Sequence, residues 1–205
     1  MKLSEIEKVD EIDLAPDIKK RGLSGANYLD NNFRTARKHD LIVAEKPLSS
    51  DRKYRVALAK GLHTPSNPEA YLVDTSNNKV AAVVTLQKYS RYGYEVYETK
   101  VRPAYQGQAL GLKLYRSLVK DFNITLVSGG VQSVGGAKLW SALYKSSGIT
   151  VYGHNPRDRE SKFFHVEIDD SGKVDSLYGK DVYGDFDSLT DHEHIRLIAV
   201  ADKNL

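Results

Sequence analysis

An α/β fold built on a mixed sheet is predicted by three features of this 205-residue chain. Residues 69–101 read as three alternating strands joined by very short turns, an antiparallel meander. Residues 108–153 then change register to helix, strand, helix, strand, the pattern that places helices against a sheet. Between 1 and 205 there is no internal repeat, no low-complexity tract and no linker, so a single domain is the economical expectation. Within it, 1–65 form a helix/strand region, 66–155 the central core and 156–205 the C-terminal strands.

The elements follow in order. Residues 1–25 are charged and carry Pro16, Gly22 and Gly25, which reads as a short helical or irregular lead-in. Tyr28, Leu29, Phe33 and Ala36 recur at helical spacing and predict an amphipathic helix over 26–39. Leu41 to Leu48 and Tyr54 to Ala59 read as short strands, and His63 to Pro68 as a loop. The meander comprises Glu69 to Thr75, Val80 to Tyr89 and Tyr94 to Val101. A helix over 108–122 gathers Leu110, Leu114, Tyr115, Leu118, Val119 and Phe122 into one apolar stripe, with Gly111 beside it. Ile124 to Ser128 is a strand. A second helix, 134–147, aligns Ala137, Trp140, Leu143 and Tyr144, and Gly148 is expected to close it. Thr150 to Gly153, Phe163 to Ile168 and Ile195 to Ala201 complete the strands, with a hairpin turn at Asp169 to Gly172.

Composition removes several classes of function. Apolar residues make up 40% and charged residues 28%, with no apolar run near the roughly 20 residues that cross a bilayer. The N-terminal Met1-Lys-Leu-Ser-Glu-Ile-Glu7 carries no apolar signal core, so a cytoplasmic protein without a membrane partner is expected. The absence of cysteine excludes disulfides, thiolate nucleophiles and zinc–thiolate sites. A net charge of +3, from 30 basic and 27 acidic side chains without clustering, gives no reason to expect nucleic acid. Lys19-Lys-Arg21 reads as a solvated face. The 13 Tyr against five Phe suit half-buried strands whose hydroxyls reach water. His192 and His194 would share a face of a strand, but no third ligand can be named and no metal is expected. His154 and Arg157 fit either a substrate cleft or a simple turn.

The most informative segment is Val101-Arg-Pro-Ala-Tyr-Gln-Gly-Gln-Ala-Leu-Gly111. A strand ends at Pro103, and a turn with small residues opens a helix. The first N–H groups of a helix have no internal partner and sit at the positive end of its dipole, so such a turn can take an anion. A phosphate-bearing ligand is the expectation.

This segment, with the meander before it and Trp140-Ser-Ala-Leu-Tyr-Lys-Ser-Ser-Gly-Ile149 after it, resembles the GNAT family of acyl-CoA N-acyltransferases over about residues 69 to 155. Gln106, Gly107, Gln108, Ala109, Leu110 and Gly111 match the family's pyrophosphate loop, Gln/Arg-x-x-Gly-x-Gly/Ala, with Ala109 where a glycine is usual. Tyr144 and Gly148 match the family's tyrosine four residues before a glycine, and Ile149 stands in place of an aromatic. The stretch Leu126 to Trp140 is also similar to GNAT-like proteins encoded by bacteriophages.

The resemblance implies a GNAT-like fold, acetyl-CoA as the cofactor and transfer of its acetyl group to an amine by direct attack in a ternary complex. It implies that the backbone from Gln106 to Gly111 holds the pyrophosphate, that Val101 lies beside the thioester, and that Ser133 contacts the pantetheine arm. Tyr144 is then the candidate acid for the leaving thiolate and Glu98 the candidate base. The partner would be a small-molecule or protein amine, and a homodimer is compatible with this. The alternative is a GNAT fold without catalysis, serving as a structural or interaction protein in a virion or against a host.

Overall fold

The computed structural model describes residues 25–62, 67–89, 93–129, 133–155, 163–170, 174–176 and 196–202. The lead-in, Lys19 to Arg21, Arg157, His192 and His194 lie outside them. The chain divides into two compact units. One takes residues up to Lys88 and then Tyr97–Leu114; the other takes Tyr89–Val96 and the chain from Tyr115 on.

In the first unit, helix α1 (Gly25–Lys38) buries Leu29, Phe33 and Ala36, the predicted stripe. Arg37 and Lys38 lie in its last turn, where positive charge complements the dipole. Left-handed Asp40 (φ 52°) turns the chain, and the Leu41 N–H donates to Ala36 O. Strands β1 (Ile42–Pro47), β2 (Tyr54–Ala59), β3 (Glu69–Asp74) and β4 (Lys79–Tyr89) pair antiparallel in sequence order. Phe33 of α1 meets Tyr71 of β3 with ring centroids 5.3 Å apart, within a core shared with Val73, Val80 and Val83. Tyr71 donates its hydroxyl to Glu69, and burial with the neighbouring carboxylate pushes its pKa up. The end of β5 (Gly93–Val101) lies at β4, where the Arg102 N–H donates to Ala81 O.

In the second unit the start of β5 runs parallel to β6 (Leu126–Val127), with Tyr94 opposite Leu126 and Glu95 opposite Val127. A parallel neighbour requires a crossover, and helix α2 (Leu110–Lys120) lies between the two strands in sequence. Gly93 makes this pairing feasible. At φ 144° it sits so close that an added Cβ would lie 2.4 Å from Thr125 O. The late strand β10 (Arg196–Ala201) pairs antiparallel with β6 on one side and β7 (Ile149–His154) on the other. β8 (Phe163–Ile168) and β9 (Val174–Ser176) extend the order beyond β7. Helix α3 (Val134–Tyr144) buries Trp140, whose ring meets Tyr115 edge-on at 6.1 Å. The parallel β5–β6 pair among antiparallel ones makes the sheet mixed, as expected.

Three boundaries differ from the expectation for physical reasons. Helix α2 begins at Leu110 rather than 108 because Ala109 has φ 54°, outside helical space. Helix α3 stops at Tyr144, with Lys145 as its C-cap, so Gly148 does not close it. Gly148 (φ 77°) instead supplies a left-handed turn into β7. β6 keeps only two residues of the predicted Ile124–Ser128 strand, because its parallel ladder with β5 spans only Leu126 and Val127.

Candidate functional site

The turn from Val101 to Lys113 lies within the first unit and is fastened there along its length. At its entry Arg102 is buried against Asp30 of α1, with Nη2 2.6 Å from Oδ1, and the same Oδ1 accepts the Val80 N–H at 2.8 Å. A 3-10 turn, Pro103–Tyr105, follows. The Tyr105 hydroxyl donates to Asp74 Oδ2 at 3.1 Å and accepts from Asn77 Nδ2 at 3.1 Å. Asp74 is itself buried at the end of β3. Burial alone would raise its pKa, but hydrogen bonds from Ser76 and Tyr105 and the charge of Lys53 outweigh that and hold it below the usual carboxylate value. Gln106 folds back, donating Nε2 to Val101 O at 3.3 Å.

Beyond this point residues 106–109 are exposed and the backbone changes hand twice, at Gly107 (φ 78°) and Ala109 (φ 54°). Among the described residues, nothing accepts the backbone N–H of any position from Gly107 to Leu112. Pairing resumes at Lys113, whose N–H donates to Ala109 O at 3.0 Å. The turn therefore presents a row of unpartnered donors at a helix N-terminus, the arrangement that cradles phosphate oxygens. No side chain has to move to provide it.

Ala109 has a role the sequence did not reveal. Among the described residues four non-glycines have positive φ: Asp40, Asn78, Ala109 and Asn123. Asp and Asn tolerate that region through local side-chain hydrogen bonds; alanine has none. Ala109 thus takes a glycine-like conformation at the position where the resemblance expects a glycine, at a cost of about 1–2 kcal/mol.

Side chains from the β1–β2 turn border the row. Tyr54, buried at the start of β2, donates its hydroxyl to Gln108 Oε1 at 3.1 Å. Lys53 and Lys113 approach the Tyr54 ring to 5.4 and 5.8 Å. Lys113 Nζ pairs with Asp51 Oδ2 at 3.1 Å, and Asp51 Oδ1 accepts the Lys53 N–H at 3.2 Å. The Lys113 hydrogen bond, foremost, holds Asp51 below the usual carboxylate range. The Asp74 carboxylate, 3.5 Å away, raises Lys53 above its ordinary value.

The remaining expected site residues are less tightly held. Leu110 and Gly111 are buried in the first turn of α2, and Val101 is partly buried at the end of β5. Glu98 is exposed on β5 and pairs with Lys100 at 2.7 Å. In the second unit Ser133 caps α3, its hydroxyl oxygen accepting the Gly136 N–H at 3.1 Å, which leaves its own proton to donate. Tyr144 ends the same helix and is half-buried, off the fully buried face of Trp140 and Leu143. His154, one reading of which was a cleft residue, is buried edge-on to Tyr89 and Phe163. Among the described residues no group of His, Asp and Glu could hold a metal ion, and no helix is long and apolar enough to cross a membrane.

No family model and no curated protein matches the chain. Among solved structures, an IAA acetyltransferase from Bacillus cereus ATCC 14579 is similar over 66% of this chain and 78% of its own, at 18% identity and a TM-score of 0.34.

Proposed function

We propose that this protein is a GNAT-like N-acetyltransferase that takes acetyl-CoA and acetylates an amine. The observation that carries this reading is the row of unpartnered backbone N–H groups from Gly107 to Leu112, at the turn whose sequence resembles a pyrophosphate loop. A diphosphate has several acceptor oxygens to satisfy, and consecutive backbone donors supply them without depending on the side chains of Gln106 or Gln108. The parallel β5–β6 pair, whose strands precede and follow the turn and α2 in the sequence, is the second support.

Acetyl transfer requires a neutral amine, a held thioester and a proton for the departing thiolate. Acetyl-CoA supplies the activated acyl group. In this reading Gln106 to Gly111 hold its pyrophosphate, Val101 contributes backbone groups beside the acyl end, and Ser133 donates to the arm. Tyr144 protonates the thiolate through its phenolic hydroxyl, and Glu98 takes the amine proton, directly or through water. The amine is a small molecule or a protein side chain.

Binding without catalysis is the second reading, favoured by the solvent-facing Glu98–Lys100 pair, which gives the proposed base no dry environment. Thermal melting separates binding from its absence. Acetyl-CoA at about 100 times its dissociation constant adds roughly 2.7 kcal/mol. No shift with acetyl-CoA or CoA removes the enzyme reading. Where binding is present, Tyr144→Phe slows acetylation of a responsive amine at least tenfold while leaving CoA affinity unchanged. Unaltered turnover in that variant removes Tyr144 from the chemistry.

A further inference from the structure

We infer that the Asp51–Lys113 ion pair is a latch on the anion-binding turn: Asp51 holds in reserve a cation that a bound phosphate group would claim. The inference rests on the turn being the phosphate site and concerns how its affinity is set.

Lys113 lies one helical turn from Ala109, with its N–H on Ala109 O, so it belongs to the first turns of α2, beside the unpartnered donors. Its ammonium is 5.8 Å from the centroid of the Tyr54 ring, whose hydroxyl bonds Gln108 within the turn. The cation is therefore at the border of the row rather than on a remote face. Among the described residues its partner is one carboxylate in the β1–β2 turn, Asp51, at 3.1 Å. Both side chains are about a third exposed (30% and 32%), so water competes for each and the pair opens at small cost. Asp51 is not lost when Lys113 departs, because its Oδ1 keeps the Lys53 N–H.

Two consequences distinguish a latch from a simple brace between α2 and the β1–β2 turn. In a brace, removing the carboxylate harms both stability and binding. In a latch, removing it releases Lys113 and strengthens binding of a phosphate ligand. Asp51 also places a negative charge near the approach of an anion, and neutralising it acts in the same direction.

Titration calorimetry with CoA as the probe, at low and at 0.3 M salt, tests this on the whole protein. Asp51→Asn keeps the shape and the acceptor for the Lys53 N–H. It should bind CoA about two- to fivefold more tightly than the natural protein, the scale of an exposed ion pair. Lys113→Ala should weaken binding and flatten its salt dependence, and Lys113→Arg should restore both. Combining Asp51→Asn with Lys113→Ala should match Lys113→Ala alone, because the latch has nothing left to release. An affinity for Asp51→Asn that is unchanged or lower, while Lys113→Arg remains folded and binds, overturns the latch and leaves the phosphate site standing. Absence of CoA binding by the natural protein at both salt concentrations overturns the phosphate site and the latch with it.

Discussion

The turn from Val101 to Lys113 and the strand that leads into it differ sharply in how they are held. Arg102, Tyr105, Gln106, Gln108 and Lys113 each have a partner within the turn or on another element of the same unit, and two of those partners, Asp30 and Asp74, are buried. Just before it, Tyr97 is 72% exposed, and among the described residues Glu98 pairs with Lys100, two places along the same strand. Buried, paired groups fix geometry; exposed pairs contribute at most about 1 kcal/mol and leave side chains to move. The shape of the turn proposed to hold an anion is therefore a property of the fold, whereas the proposed proton chemistry has little preorganisation on β5. Binding should tolerate much that catalysis would not.

The contrast is broken most directly at the entry to the turn. Asp30→Ala leaves the Arg102 guanidinium buried without its counter-charge and should cost about 3–5 kcal/mol in urea unfolding. Glu98→Ala, in the same assay, should stay within about 0.5 kcal/mol. Similar costs for the two would mean that the two regions are not held differently. Next in size is Asp74. Its folded-state carboxyl titrates below 3.8, so the stability it contributes is present above that value and fades as pH falls through the lower folded value. Asp74→Asn should cost about 1.5–3 kcal/mol at pH 7, the worth of hydrogen bonds to a charged group. The difference between the variant and the natural protein should shrink as the pH is taken below 3.8. A constant difference across that range would show that the Asp74 charge is irrelevant. A smaller effect than that of Asp74 belongs to Ala109→Gly, which exchanges left-handed strain against glycine's extra unfolded-state entropy. The two terms, about 1–2 and about 0.5–1 kcal/mol, leave a gain of up to about 1.5 kcal/mol in the melting experiment. A loss would mean that Ala109 is not strained in the working state of the turn.

How much of this was legible in the sequence depended on the range of the interaction. The Lys79–Tyr89 strand and the two beside it were readable within a residue or two, because alternation and tight turns are local signals. The buried stripe of α2, Leu110, Leu114 and Leu118, was equally plain. The segment from Val101 to Gly111 stood out because its residues are contiguous. What fastens it did not. Tyr54 and Gln108 are 54 positions apart and Asp51 and Lys113 are 62 apart, and no periodicity in one chain links them. The conformation of Ala109 was not legible, because a left-handed φ at an alanine has no residue-type signal, unlike Asn78 or Asp40. Gly148 was misread because Lys145 to Ser147 are compatible with continuing a helix that in fact ends at Tyr144.

The central claim, that the row from Gly107 to Leu112 is a phosphate cradle, is tested most directly by backbone amide NMR during titration with CoA. The account predicts that the amide protons of these residues, which have no acceptor among the described residues, show the largest shifts and gain protection from exchange with solvent. Binding of CoA with those amides unmoved, and the changes concentrated elsewhere, would contradict it.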